Sequence, residues 1–211
     1  MDERVTAVLA TYHDLIREER ARPRPAADRD DGQHRFMAVG PDSGQLINVL
    51  ARSLRAPVIL ELGTSFGYSG IWLAAAARAS GGRVITMERY EHKSAFAREM
   101  AQKAGLAEYI DFRVGDAVQM IGELQAGVDF VLLDLWKDLY VPCLDAFFPK
   151  LNPGAIIVAD NMLSRPEPGI KAYAQAVRAR PGIRSVLLPV GQGLEVSRLE
   201  GSGVDARTHH A

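Results

Sequence analysis

The stretch Val58-Ile-Leu-Glu-Leu-Gly-Thr-Ser-Phe-Gly-Tyr-Ser-Gly70 decides the fold class of this 211-residue chain. A short apolar run leads into three glycines with the spacing G-x-x-x-G-x-x-G, and a helical pattern follows. Short apolar runs of this kind are typical of strands buried on both faces of a sheet. Glycine permits a tight turn and a close approach of the backbone to a ligand. The stretch therefore predicts a buried strand, a glycine turn and a helix whose N-terminal amides face a cleft.

The same alternation of strand and helix continues through the rest of the chain. The sequence predicts strands at 58–62, 83–87, 110–113, 130–134, 155–159, 185–189 and 193–199. It predicts intervening helices at 70–79, 93–104, 117–125, 139–150 and 169–180. This order indicates an α/β fold with a doubly wound, mostly parallel seven-stranded sheet and helices on both faces. Because residues 190–192 are too few for a crossover, we expect the last strand to be antiparallel.

The chain is predicted to have three regions. A helix over 5–20 is followed by a segment, residues 21–32, in which two prolines and mixed charges indicate a linker or a mobile lid. A second helix begins at Pro41, and the polar end of the chain carries no periodic pattern. We therefore expect a cap or lid region at 1–35, the principal domain at 36–200 and a frayed tail at 201–211.

Composition excludes several classes of protein. The 25 Lys and Arg residues nearly balance the 26 Asp and Glu residues, and a net charge of −1 disfavours a nucleic-acid partner. A single cysteine, Cys143, cannot form an internal disulfide or a thiolate zinc site. The chain has an acidic start and no apolar run near the roughly 20 residues that a membrane span needs. We therefore expect a soluble, cytoplasmic protein without a membrane partner.

Two acidic residues follow the next predicted strands and point to a nucleoside site. Glu88 closes the second strand, where a carboxylate can accept both ribose hydroxyls, and Asp116 follows the third, where it suits an adenine amino group. Either residue could instead be a helix N-cap or a surface acid. The glycine spacing differs from the G-x-G-x-x-G of dinucleotide binders, which disfavours a nicotinamide-dependent oxidoreductase. A nucleoside site without a diphosphate clamp is what S-adenosylmethionine requires.

Oxygen donors follow the fourth and fifth strands of the predicted sheet. Asp134, Asp160 and Asn161 are hard ligands without His or Cys, and they favour Mg²⁺, or alternatively Ca²⁺ or Mn²⁺, over zinc. Ordinary strand-end caps are the competing interpretation. Lys137 lies three residues after Asp134 and is a candidate general base, although a solvated loop lysine fits the pattern too. Trp136 is either a gate over a planar substrate or part of the core.

These motifs resemble those of catechol O-methyltransferases, within the metal-dependent class I S-adenosylmethionine methyltransferases that also include the caffeoyl-CoA type. The resemblance covers about residues 36–198 and rests on Glu61-Leu-Gly-x-x-x-Gly-Tyr-Ser69, Leu133-Asp-x-Trp-Lys-Asp138 and Ala159-Asp-Asn161. The Asp-x-Trp-Lys string favours the catechol branch. The resemblance implies a Rossmann-like methyltransferase domain at 36–200 that methylates a hydroxyl of a vicinal dihydroxy aromatic molecule.

The resemblance also implies roles for individual residues. The residues implied to bind the cofactor are Met37, Val39, Glu61, Gly63, Ser65, Tyr68, Ser69, Glu88, Arg89, Asp116, Ala117, Asp134 and Trp136. The implied metal ligands are Asp134, Asp160 and Asn161, and the implied base is Lys137. The implied substrate contacts are Trp136, Lys137, Asn161, Arg165 and Glu195, the last against the second catechol hydroxyl.

Three departures from the catechol pattern leave the acceptor open. Leu135 replaces a histidine, Asp116-Ala117 resembles the caffeoyl-CoA branch, and Arg165 stands where the catechol branch has an apolar wall. Arg165 could pair with a carboxylate of the acceptor. The alternatives are a caffeoyl-CoA-like or natural-product acceptor, an RNA acceptor, and a non-catalytic protein that binds S-adenosylmethionine. The oligomeric state is open, and a homodimer is one option.

Overall fold

A computed structural model of the protein describes residues 2–21, 33–164 and 167–201. Within these residues, the strands are β1 (Val58–Leu62), β2 (Arg83–Glu88), β3 (Ile110–Val114), β4 (Val128–Leu133), β5 (Leu151–Ala159), β6 (Ile183–Leu188) and β7 (Leu194–Leu199). The α-helices are α1 (Glu3–Ala21), α2 (Pro41–Arg52), α3 (Tyr68–Ser80), α4 (Glu91–Ala104), α5 (Ala117–Glu123), α6 (Tyr140–Phe147) and α7 (Pro168–Arg178). Short 3₁₀ turns lie at Ala107–Tyr109, Lys137–Leu139 and Phe148–Lys150.

The strands form one sheet in the order β3-β2-β1-β4-β5-β7-β6. The first five strands in this order pair in parallel, whereas β7 runs antiparallel to both β5 and β6. The predicted fold class and the antiparallel last strand are confirmed. The strand order reverses between β1 and β4, and in such sheets ligands bind at the carboxyl ends of the strands beside this switch point.

Helices cover both faces of the sheet, as the apolar strands predicted. One core cluster joins α1, α2, α3 and α4 to the face of β1 that carries Ile59. The other joins α5, α6 and α7 to the face that carries Leu60. Because successive strand residues point to opposite faces, an uninterrupted apolar strand supplies both layers at once.

Most predicted bounds differ from the observed ones by one or two residues, and the two larger errors, in β5 and α6, have local chemical reasons. Strand β5 begins at Leu151 and not at residue 155, because Leu151 pairs with Val128 across an irregularity in the β4–β5 register. The Asn152-Pro-Gly154 sequence resembles a turn, but proline is tolerated beside such a bulge. The helix predicted over 139–150 ends at Phe147 and tightens into a 3₁₀ turn, since Pro149 has no amide to continue it.

Helix α1 packs on the domain that carries the cleft. The Tyr12 hydroxyl donates to the Phe66 carbonyl at 2.6 Å, while Asp2 accepts from the Val5 amide at 3.0 Å and pairs with Arg78 at 2.6 Å. The predicted lid falls mainly on residues 22–32 and the predicted tail mainly on residues 202–211, outside the described residues. Across the described part of the chain, no helix combines the length and apolarity that crossing a bilayer requires.

Candidate active site

The glycine turn after β1 is built for close backbone contact. Gly63 has a φ of 101°, and a Cβ atom there would lie 2.2 Å from the backbone oxygen of Asp134 at the end of β4. Gly67 has a φ of 91°, and a Cβ there would lie 2.6 Å from the Cβ of Ala97. Larger residues at either position would push the turn away from its neighbours, so the turn requires these two glycines.

Glu61 is enclosed beneath this turn. Its carboxylate accepts hydrogen bonds from the Ser69 and Thr86 hydroxyls, both at 2.6 Å, and the side chain has no exposed surface. Burial raises the pKa of Glu61 to about 7, although the two hydroxyl hydrogen bonds oppose the shift. These contacts join β1 to α3 and β2, so the local effect of Glu61 is to hold the predicted cofactor turn in shape.

Glu88 lies at the carboxyl end of β2, where the sequence placed it. Its Oε2 atom accepts from the Ser65 amide at 2.8 Å, and its Oε1 atom accepts from the Arg89 and Tyr90 amides at 2.9 and 3.0 Å. A carboxylate has about four acceptor sites, so these three bonds orient the group and leave about one site for a ribose hydroxyl. The structure thus brings Glu88 and Ser65 together at the cleft.

The other predicted cofactor residues occupy varied positions. Val39, Tyr68 and Ser69 are buried, whereas Met37 is exposed. Asp116 caps α5, because its Oδ1 atom accepts from the Gln119 amide at 2.9 Å, and Ala117 begins that helix. The N-cap interpretation of Asp116 is therefore observed, and its contact with adenine stays a prediction.

Trp136 follows β4 and lies at the surface. Its side chain is 45% exposed, which is incompatible with the core role that was the alternative to a gate. Large exposed aromatic groups are common where a protein contacts a planar ligand. Its contacts with cofactor and substrate stay predictions.

The ends of β4 and β5 bring the predicted metal ligands together. Leu133 pairs with Ala159 in the parallel register, so Asp134 and Asp160 follow directly on neighbouring strands. Asn161 has a φ of 61°, and its Nδ2 atom donates to Asp160 Oδ2 at 3.1 Å. Left-handed backbone at a residue other than glycine is strained and recurs at functional sites.

Lys137 reaches into the same cluster. Its Nζ atom donates to Asn161 Oδ1 at 2.7 Å, to the Tyr140 hydroxyl at 2.5 Å and to the Leu135 carbonyl at 3.2 Å. It also lies 3.6 Å from Asp134 Oδ1. The side chain is 13% exposed, so Lys137 is not the solvated loop lysine that was the alternative interpretation.

The donor set fits a hard divalent cation. Asp160 is buried, and its Oδ1 atom has no hydrogen-bond partner among the described residues. Burial, and then the charge of Asp134, raise the pKa of Asp160 to about 8, and burial also raises the pKa of Asp134. A cation between the two carboxylates would relieve both costs. No cluster of three His, Cys, Asp or Glu residues occurs in the described part of the chain, so a cation held by these residues would take its remaining ligands from water or substrate.

Glu195 is not placed as the resemblance implied. Its side chain has no exposed surface, and its two oxygens accept from Arg178 Nε and Nη2 at 2.8 Å each. Ser185 Oγ also donates to it at 2.5 Å. These bonds join β7 to α7 and β6 and leave Glu195 no surface for a ligand, so the expected substrate contact is corrected to a structural ion pair. Arg165, the other departure, lies outside the described residues.

Tyr140 is a residue of this site that sequence reasoning missed. It is fully buried, and its hydroxyl donates to the Asp160 carbonyl at 3.0 Å while accepting from Lys137. Burial raises the pKa of Tyr140 well above its ordinary value, which keeps the phenol protonated. The available signal was the spacing of Lys137 and Tyr140, since residues three apart face the same side of a helical turn.

Several known proteins with similar sequences are O-methyltransferases. A family model described as O-methyltransferase matches residues 24–199. Catechol O-methyltransferase of Niastella koreensis is 34% identical over 131 residues, which cover 60% of this chain and 59% of that protein. Caffeoyl-CoA O-methyltransferase 1 of Eucalyptus globulus is 28% identical over 185 residues, covering 77% of this chain and 75% of the relative.

A solved structure extends the similarity to the whole fold. The O-methyltransferase TomG of Streptomyces achromogenes, involved in tomaymycin synthesis and solved in complex with S-adenosylmethionine, superposes with a TM-score of 0.76. The two chains are 26% identical, and the alignment covers 95% of this chain and 91% of that one.

Proposed function

Because this chain belongs to the O-methyltransferase family, we propose that it transfers a methyl group from S-adenosylmethionine to a hydroxyl of a catechol-type small molecule with the help of Mg²⁺. The family that the motifs resembled is thereby confirmed. The observation that carries the proposal is the contact of Lys137 with Asn161 and Asp134 at the ends of β4 and β5. A basic side chain beside a hard-cation donor set suits the deprotonation of a bidentate diol.

The binding of S-adenosylmethionine is supported by the first half of the sheet. Three backbone amides donate hydrogen bonds to the Glu88 carboxylate and orient it at the cleft. Gly63 lets the turn after β1 pack closely against the backbone of Asp134. The similar TomG protein was solved with S-adenosylmethionine, the methyl donor proposed for this chain. In this proposal Glu88 holds the ribose and the turn from Gly63 to Ser69 surrounds the methionine part.

The residues that would hold Mg²⁺ are Asp134, Asp160 and Asn161. When bound there, the ion would act as a Lewis acid and lower the pKa of the hydroxyls of a vicinal diol. Lys137 then accepts the proton of one hydroxyl, and that oxygen displaces sulfur from the methyl carbon. The products are a methyl ether, S-adenosylhomocysteine and a protonated lysine, which returns its proton to solvent. The protein contributes mainly by aligning the reacting atoms, which at its upper range lowers the activation free energy by about 7–11 kcal/mol.

A caffeoyl-CoA-type acceptor is the second candidate. The alignment with the Eucalyptus caffeoyl-CoA enzyme covers more of this chain than the alignment with the Niastella catechol enzyme, 77% against 60%. Asp116-Ala117 also follows the caffeoyl-CoA pattern. The two candidates share the vicinal diol and differ in the size and charge of the rest of the acceptor.

The test is release of S-adenosylhomocysteine from a panel of acceptors. The panel contains catechol, a carboxylated catechol, caffeoyl-CoA and resorcinol, whose hydroxyls are not vicinal. We expect turnover of vicinal diols that EDTA abolishes and Mg²⁺ restores, with no turnover of resorcinol. Equal turnover of resorcinol, or activity that survives EDTA, would refute the bidentate mechanism.

The role of Arg165 is tested within the same panel. We propose that its guanidinium pairs with a carboxylate of the acceptor. Arg165→Ala should then raise KM for the carboxylated catechol by about tenfold, the loss of one charge-assisted hydrogen bond. Catechol itself is the control and should keep its KM. An equal effect on both acceptors would contradict the pairing.

A further inference from the structure

Beneath the candidate base lies a buried phenol with a defined orientation. The Tyr140 hydroxyl donates its one hydrogen to the Asp160 carbonyl at 3.0 Å. The oxygen of that hydroxyl therefore faces Lys137 Nζ, 2.5 Å away, as an acceptor. Since the phenol is fully buried and its hydrogen is used, it cannot exchange roles with the lysine.

The other side-chain partners of Lys137 have a second task. Asn161 Oδ1 and Asp134 Oδ1, 2.7 and 3.6 Å from Nζ, belong to the residues proposed to hold the cation. Oxygens that coordinate a dication are less available to an amine. Tyr140 is outside that donor set, because its hydroxyl is committed to Lys137 and the Asp160 backbone. Among the described residues, Tyr140 and the Leu135 carbonyl are the Lys137 partners without a role in the donor set.

We infer that Tyr140 is a positioning residue that holds the Lys137 amine over the diol site while the cation occupies Asn161 and Asp134. This inference rests on the proposed function and identifies how its base is held. A lysine side chain has four flexible carbons, so its amine needs fixed partners to stay at one point. The Tyr140 hydroxyl is one such fixed partner, because its ring packs against Tyr173.

The local fold explains how the phenol reaches this position. The 3₁₀ turn Lys137–Leu139 leads directly into α6 at Tyr140, so the two side chains lie one turn apart on the same side. The Tyr140 ring packs edge-on against Tyr173, with ring centroids 5.3 Å apart. This contact restricts the ring, and therefore the hydroxyl, to one position.

Tyr173 provides a matched control. It is as fully buried as Tyr140 and lies in the same ring pair, but its hydroxyl has no hydrogen-bond partner in the described part of the structure. Tyr140→Phe and Tyr173→Phe each remove one buried hydroxyl and keep the ring. Only the first change takes a hydrogen bond from Lys137.

The experiment compares the two variants with the wild type on the preferred diol. We expect Tyr140→Phe to lower kcat by roughly 10–100-fold, as expected for a misplaced reacting group, with KM for both substrates within about twofold. Affinity for S-adenosylmethionine and for Mn²⁺, measured by calorimetry, should stay within about twofold. Tyr173→Phe should keep the wild-type kcat. Equal kcat values in both variants, or equal losses, would overturn the inference.

A second readout does not depend on activity. The chain contains five lysines, so a ¹⁵Nζ–¹H correlation spectrum is simple, and Lys137→Arg assigns the Lys137 signal by its loss. In Tyr140→Phe the Lys137 signal should shift and broaden through faster hydrogen exchange, whereas in Tyr173→Phe it should persist. An unchanged Lys137 signal in Tyr140→Phe would refute the positioning role. A wild-type protein inactive on every diol would refute the proposed function instead, and the spectra would still decide the role of Tyr140.

Discussion

Replacing Glu61 with glutamine should change how the stability of the protein depends on pH. Glu61 has no exposed surface, and burial raises its pKa from the ordinary 4.5 to about 7. The folded chain therefore binds this proton more tightly than the unfolded chain. The resulting stabilisation is complete below pH 4.5 and is lost as pH rises through about 7. At about 1.4 kcal/mol per pKa unit, the stability lost is about 3 kcal/mol.

Glutamine has nearly the same shape as glutamic acid and never ionises. It disturbs the hydrogen bonds from Ser69 and Thr86 to a similar extent at every pH, so this cost is a constant offset. We expect the free energy of unfolding of Glu61→Gln, relative to the wild type, to increase by about 3 kcal/mol between pH 5 and pH 9. Urea unfolding followed by circular dichroism measures this difference at each pH.

Removing the Ser69 hydroxyl offers a control, because it should increase the pH dependence of stability that Glu61→Gln removes. Its hydrogen bond favours the charged form of Glu61, so Ser69→Ala should raise the pKa of Glu61 further. The stability of this variant should therefore fall more steeply with rising pH than that of the wild type. Parallel stability curves for wild type and Glu61→Gln across this range would refute the reasoning. That result would mean that the carboxyl group is charged in the folded protein even at pH 5.

Four further substitutions test other parts of the protein. Gly63→Ala places a Cβ at a φ of 101° and 2.2 Å from a backbone oxygen, so urea unfolding should show a loss of about 3 kcal/mol. Lys137→Ala should lower kcat by about 10³-fold with unchanged S-adenosylmethionine affinity by calorimetry, whereas Glu88→Ala should mainly weaken that affinity, by about tenfold or more. The reverse pattern would contradict the assigned roles. Arg178→Ala should cost about 2 kcal/mol in the same unfolding assay because it leaves Glu195 buried without its cation, and adding Glu195→Gln should restore part of the loss.

Much of the fold follows from local pattern. The bounds of β1 were predicted without error, because the mostly apolar run Val58–Leu62 is closed on one side by Pro57 and on the other by Gly63. The start of β5 was missed because Pro153 and Gly154 carry a local turn signal that pairing with β4 overrides. Strand pairing is a long-range interaction, and the local sequence of residues 151–154 does not show that Leu151 pairs with Val128.

For the candidate site, the sequence was informative about which residues gather at the cleft. Asp134, Asp160 and Asn161 each follow a strand, and parallel strands bring their carboxyl ends to one edge, so their proximity needed no coordinates. The sequence was less informative about side-chain partners. The resemblance placed Glu195 at the substrate, but the Arg178 guanidinium from α7 occupies both of its oxygens.

The sequence by itself determined the α/β class, the glycine turn and the residue types at the strand ends, since periodicity, glycine conformation and donor chemistry are local properties. Only the tertiary structure decided which oxygen each polar hydrogen contacts. The burial of Glu61, the ion pair of Glu195 and the hydroxyl of Tyr140 beneath Lys137 all depend on segments distant in sequence. Burial and hydrogen bonding depend on distances within a few ångströms, and packing of the whole chain sets those distances.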